Sequence, residues 1–204
     1  MSDARQTRPG RPDARIRTRE DLAAWAAADA AMNGVERWRP RHALTRGVVH
    51  FLHVLRLCEY WENQPGPVAR VVSGVYKVRL RRLSERLGFD VGRHTAGPGL
   101  SIAHSGLLVI HPDARIGARC RIHQGVTIGA TAGGVPVIGD DVFIGPNALV
   151  LGGVTIGDRA FIFPSAVVTC DVPEGHAAAG VPATVRPGTH EVWRPDEPRV
   201  RPAT

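Results

Sequence analysis

Several absences bound the chain before any motif is read. Its 204 residues hold three cysteines, Cys58, Cys120 and Cys170, an odd number with no CxxC and no Cys/His ligand spacing. That excludes a disulfide framework and a zinc site, and leaves them to be read as small core residues. No apolar run approaches the roughly 20 residues that span a bilayer. The opening, MSDARQTRPGRPDAR, lacks the apolar stretch of a secretory signal. A soluble, cytoplasmic protein with no membrane partner is therefore expected. Lysine is almost missing too, since Lys77 is the single lysine among 26 basic residues.

What is present is an ordinary globular balance, 43% hydrophobic and 22% charged, with a formal charge of +7. The charge is unevenly placed: residues 1 to 88 carry +8, residues 89 to 185 carry −2 and the remainder +1. No zinc finger, RNP motif or basic region with heptads accompanies the arginines, so a nucleic-acid partner is not expected. An exposed Arg-rich helical face comes first, and attraction of an anionic cofactor second.

The first 87 residues read as a basic arm (1–15, disordered) followed by a helical domain (16–87). Thr18 and Asp21 make a capping-box start to TREDLAAWAAADAAM, which Asn33-Gly34 closes. Residues 44 to 63 place Val48, Phe51, Leu52, Leu55 and Cys58 at helical spacing. Residues 68 to 87 do the same with Val71, Val75, Val78 and Leu83, with Arg79, Arg81, Arg82 and Arg86 largely off the stripe. Both stripes are read as core.

At Gly88 the pattern changes. An aliphatic residue recurs every sixth position at Ile110, Ile116, Ile122 and Ile128, and again, after a shift of four, from Ile138 through Ile144, Val150, Ile156 and Ile162 to Val168. The residue four later is small, as at Ala114, Cys120, Ala148, Ala160 and Ala166. A period of six fits neither a helix nor an exposed strand. It fits a β-solenoid with one short strand and one turn per hexapeptide, three to a triangular coil. The shift falls in ATAGGV, residues 130–135, so a Gly-rich loop is expected to leave the coil there.

The run from Gly97 to Val185, with Ala103-His104-Ser105-Gly106, the QGVTIG coil and its loop, and the terminal AAGVPA, resembles the hexapeptide-repeat acyltransferases, and among them the serine acetyltransferase branch. The resemblance implies an α+β chain in which the helical segment precedes a left-handed parallel β-helix (88–186), with a disordered tail beyond (187–204). It also implies acetyl transfer from acetyl-CoA, with no metal, to the hydroxyl of a small-molecule acceptor. Active sites would lie between subunits of a homotrimer, or of a dimer of trimers.

Such a transfer needs a base for the hydroxyl proton, donors for an oxyanion and a slot for the CoA arm. His104, which interrupts the repeat where the family's catalytic histidine falls, is the expected base, and imidazole suits proton transfer near neutral pH. Asp90 occupies the region where relatives keep an acid that orients it; a solvated turn carboxylate is the alternative. Gly129 and Ala130 match positions whose main-chain N–H groups face the thioester. Gly145, Pro146, Pro164, Ser165, Ala179 and Gly180 match the corners and cap along which relatives hold pantetheine and nucleotide; solenoid turns alone also explain each.

Two departures stand out. The family commonly has Asp before the histidine, where this chain has Ala103, and a second histidine in the loop, where it has Val135-Pro136. Both remove polarity tied to an amino-acid acceptor. Serine stays first, a sugar or specialised-metabolite hydroxyl is the runner-up, and a non-catalytic trimeric scaffold is the third reading. His123 is expected to point outward and pack at a surface or interface, and Glu59 and Glu62 to lie on an exposed helix face. Relatives that dock into the next enzyme of cysteine synthesis end in isoleucine; this sequence ends Pro-Ala-Thr, so that complex is not expected.

Overall fold

The computed structural model describes residues 15–188. The expected arm before Arg15 and the expected tail beyond Gly188 lie outside those residues. Among the described residues no helix is long and apolar enough to cross a membrane.

Four helices come first. In α1 (Arg19–Met32) both halves of the capping box form: Asp21 N–H donates to Thr18 Oγ1 at 3.0 Å, and Thr18 N–H donates to Asp21 Oδ2 at 2.8 Å. A single turn, α2 (His42–Thr45), precedes α3 (Gly47–Glu62), which buries Phe51, Leu52, Leu55 and Cys58 as its spacing predicts. α4 (Pro67–Leu87) begins on proline and ends at Gly88, whose φ of 79° is left-handed and whose N–H donates to Ser84 O.

α4 corrects the sequence reading. Val71, Val75 and Val78 are 69%, 61% and 54% exposed. The face against α3 is instead Ala69, Ser73 and Leu80, with Tyr76, Leu83 and Leu87 packed beside them. Small residues let the two helices approach closely, so packing chose that side over the valine stripe. Cys170 is a second correction: it is exposed, whereas Cys58 and Cys120 are buried.

The remainder is a left-handed parallel β-helix of about five turns. One face stacks β1 (Phe89–Val91), β3 (Leu108–Ile110), β6 (Thr127–Gly129), β9 (Leu149–Leu151) and β12 (Val167–Val168). A second stacks β2 (Ser101–Ile102), β5 (Arg121–Ile122), β8 (Phe143–Ile144), β11 (Phe161–Ile162) and β13 (His176–Ala179). The third stacks β4 (Arg115–Ile116), β7 (Val137–Ile138) and β10 (Thr155–Ile156), extended by bridges at Ala96 and Val172. Register follows the six-residue period: Ile102, Ile122, Ile144 and Ile162 sit directly over one another, and all are buried. The small residues four positions on, Ala114, Cys120, Ala148, Ala160 and Ala166, fill the space between them. A last strand, β14 (Thr184–Pro187), runs back antiparallel along β13.

The helices are fastened to the first coil by one buried ion cluster. Arg56 on α3 donates to Asp29 of α1, to Glu59 and to the carbonyls of Ala96 and Gly97, while Asp29 accepts the N–H groups of Gly99 and Leu100. Asn33, at the end of α1, bonds Leu100 O and Ile102 N. Every charge here is met by a partner, the condition under which a buried ion cluster is tolerated.

Candidate active site

The register gives the site its shape. One residue beyond each inward aliphatic of the β2 face stand Ala103, His123, Gly145, Phe163 and Ala179, and one further stand His104, Gln124, Pro146, Pro164 and Gly180. These corners are hydrogen-bonded in series: Gly125 N–H to Leu107 O, Asn147 N–H to Gln124 O, Ser165 N–H to Pro146 O, Val167 N–H to Gly180 O. His104, Gly145, Pro146, Pro164, Ser165, Ala179 and Gly180 therefore lie along a single edge of the prism, with the histidine at the end nearest the helices. The edge is kept low by necessity, since a Cβ on Gly145 would come within 2.7 Å of Pro164 N and one on Gly125 would run into Asn147.

The other expected residues fall elsewhere. Gly129 ends β6 and Ala130 follows it at the next edge, where the extruded loop closes on itself through reciprocal hydrogen bonds between Thr131 and Gly134. Asp90 is exposed in the middle of β1, paired with Val109, and no hydrogen bond or ion pair joins it to His104. Glu59 is not on an exposed face: it is 1% exposed, bound by Arg56 and by His94 N–H. Glu62 is likewise taken up, by Lys77, Arg93 and His94, and these partners outweigh burial to hold its carboxyl below the ordinary range.

His123 lies closer to the chemistry than the sequence suggests. Its ring stands 6.2 Å from that of His104, edge to face, and 5.0 Å from Phe143, which stacks on Phe161 at 4.5 Å. Burial first, then the nearby Arg121 and His104, push its pKa down to about 4. Arg121 Nε donates to His123 Nε2 at 3.3 Å, which leaves the ring proton on Nδ1. His123 is thus a neutral partner for the exposed His104. The signal was in the sequence, since the six-residue register places both at neighbouring corners. Among the described residues no cluster of three potential metal ligands occurs.

With this geometry in view, the likenesses are specific. Residues 136–170 match the bacterial transferase hexapeptide family (six repeats). That match lies within the solenoid, from β7 to just beyond β12. The serine acetyltransferase of Synechococcus elongatus is 37% identical over 129 residues, 57% of this chain and 53% of that one. That of Staphylococcus xylosus is 32% identical over 131 residues, 62% of this chain and 58% of that one. The chain therefore spans little more than half the length of either relative. Among solved structures, a serine acetyltransferase in complex with CoA superposes with a TM-score of 0.67 at 26% identity, over 82% of this chain and 71% of that one. The Neisseria gonorrhoeae serine acetyltransferase in complex with serine gives 0.61 at 27% identity, over 81% and 69%. The likeness to these structures reaches beyond the repeats into the helical segment, since the repeats alone make up a smaller share of the chain.

Proposed function

We propose that the protein is an acetyl-CoA-dependent O-acetyltransferase, similar to the serine acetyltransferases, that works as a homotrimer. The observation that carries this reading is the single edge on which His104 heads a line of small and proline corners. Acetyl-CoA supplies the activated acetyl group as co-substrate. The small corners at Gly145, Ala179 and Gly180 leave room for a slender pantetheine arm along that edge.

In this reading His104 accepts the acceptor's hydroxyl proton as the oxygen forms its bond to the acetyl carbon. The carbon–sulfur bond breaks, and the proton passes from His104 to the departing thiolate. His123 stays uncharged beside it, so the base is not opposed by a second imidazolium. The N–H groups of Gly129 and Ala130 lie on a different edge, so they reach the same acetyl group only from a neighbouring subunit. A trimer supplies that arrangement by symmetry, and the outward Phe143 and Phe161 give its subunits an apolar flank. Asp90 makes no direct hydrogen bond to His104 within one chain, and the ring contact of the imidazole there is with His123.

The test is CoA release from acetyl-CoA with L-serine, homoserine and sugars as acceptors, alongside light scattering. Acceptor-dependent release by a trimer supports the reading, and the absence of release with every acceptor would leave a scaffold in its place.

A further inference from the structure

The sequence leaves open where an acceptor finds its polar partners once Ala103 and Val135 have replaced the family's polar residues. A cavity of about 400 Å³ lies between the helices and the solenoid, lined by Asn33, Arg46, Val48, Ile102, Ala103 and Arg121 among others. Ala103 is the residue before His104, and Arg121 is bonded to His123, so the cavity opens beside the proposed base. No acid lines it.

A second cavity, of about 200 Å³, shares Gly34 and Arg46 with the first and adds Arg37, Arg39 and Arg41, with Glu36 as its one acid. Arg37, Arg39, Arg41 and Arg46 form no ion pair with any described residue. Their field is felt locally: burial, then Arg41, Arg46 and Arg39, lower the pKa of His42. The two cavities adjoin at Gly34 and Arg46 and make a basic trough whose far end is at Ala103 and Arg121, and the larger one alone falls in the size range of ligand sites. The trough runs from Ala103, the residue before His104, toward the helices, whereas the corner line runs the other way, toward Gly180. It therefore lies on the acceptor's side of the base.

We propose that this trough binds the acceptor, and that the acceptor is a hydroxylated molecule larger than a free amino acid, anchored through a phosphate or carboxylate group by Arg46, Arg121 and the arginines of the α1–α2 connection. The proposal rests on the acetyl-transfer reading for its link to turnover, but not for anion binding itself. Guanidinium groups suit both anions because their N–H pairs match two oxygens at once.

Two measurements test it. In the first, thermal melting is followed in inorganic pyrophosphate against chloride of equal ionic strength. Pyrophosphate raises the melting temperature of the native protein by linkage, and Arg39→Gln combined with Arg46→Gln removes at least half of that rise while melting normally in chloride. In the second, CoA release is compared for glucose, glucuronate, glucose 6-phosphate and L-serine. An anionic sugar exceeds glucose at least tenfold in kcat/KM, and the better of the two identifies the anion. Arg46→Gln lowers that preference about tenfold without moving KM for acetyl-CoA, and pyrophosphate competes with the acceptor. A melting rise without turnover upholds the anion site and discards acetyl transfer. Serine turnover without a melting rise, or pyrophosphate competing with acetyl-CoA, overturns the proposal and leaves acetyl transfer standing.

Discussion

Arg56 Nε donates to Asp29 Oδ2 at 2.7 Å, and both side chains are sealed from water, at 0% and 4% exposure. Burial opposes the charge on Arg56, but Asp29 and Glu59 outweigh it and hold the guanidinium protonated. Since Asp29 also accepts two N–H groups from the first coil, it ties α1, α3 and the solenoid at one point.

Asp29→Ala should therefore cost about 3–5 kcal/mol, the loss typical of stranding one partner of a buried pair. Urea unfolding would show it as a lowered midpoint. Asp29→Asn keeps the shape and some of the hydrogen bonds and should lose less. Equal stability of Asp29→Ala and the native protein would mean the cluster does not hold the helices.

His104→Ala should lower turnover by roughly 10² to 10⁴, the range for lost acid–base catalysis. Its side chain is exposed and makes no hydrogen bond with any described residue, so melting should not change. Steady-state CoA release together with a melting curve separates the two effects. Unimpaired release would move the base to His123.

Acid should destabilise the fold through its neutral histidines. Burial, with His50 and Arg79 pushing the same way, holds His53 down to about 4, and burial with Arg121 and His104 does the same to His123. In the unfolded chain both return to about 6.5, so between those values the unfolded state binds more protons and stability rises with pH. The contribution is complete above about pH 6.5 and is lost as pH falls toward 4. His53 stacks on Trp38 at 4.1 Å, and His53→Phe keeps a ring there while removing the titration. Urea midpoints between pH 7 and pH 4.5 should fall less steeply in that variant; an unchanged slope would exonerate His53.

Ala103→Asp should move acceptor choice. A carboxylate beside His104 favours an ammonium and repels an anion, so serine should gain in kcat/KM relative to glucose 6-phosphate. A loss for serine, with no loss for the anionic sugar, would show that Ala103 does not face the acceptor.

Much of this architecture is written in the period of six, because each inward position must be aliphatic and each position four later must be small for coils to stack. Ile122 and Cys120 are predictable on that ground, as is the common edge of His104 and Pro164. The face chosen by α4 is not, because that helix is apolar on two sides and only its fit against α3 decides between Ala69 and Val71. Nor is the trough: Arg46 and Arg121 are far apart in sequence, and in an Arg-rich chain neither looks different from its neighbours. Arg56 is hidden for a related reason, since a charge on an apolar helix becomes intelligible only when Asp29 and the carbonyls of Ala96 and Gly97 surround it.

The reversal of β14 has a consequence for assembly. A parallel solenoid that simply stopped would present a bare row of N–H and C=O groups on its final coil, a template on which another copy could stack end to end. By turning back along β13, the chain occupies that row on the β13 face with a strand of opposite direction, and the helices cover the first coil at the other end. On that face the parallel stacking that would extend the axis is interrupted at both ends, which favours the flanks of the prism as the surfaces for association. The strand that contributes least to the core is thus the one that keeps the solenoid from becoming a fibre.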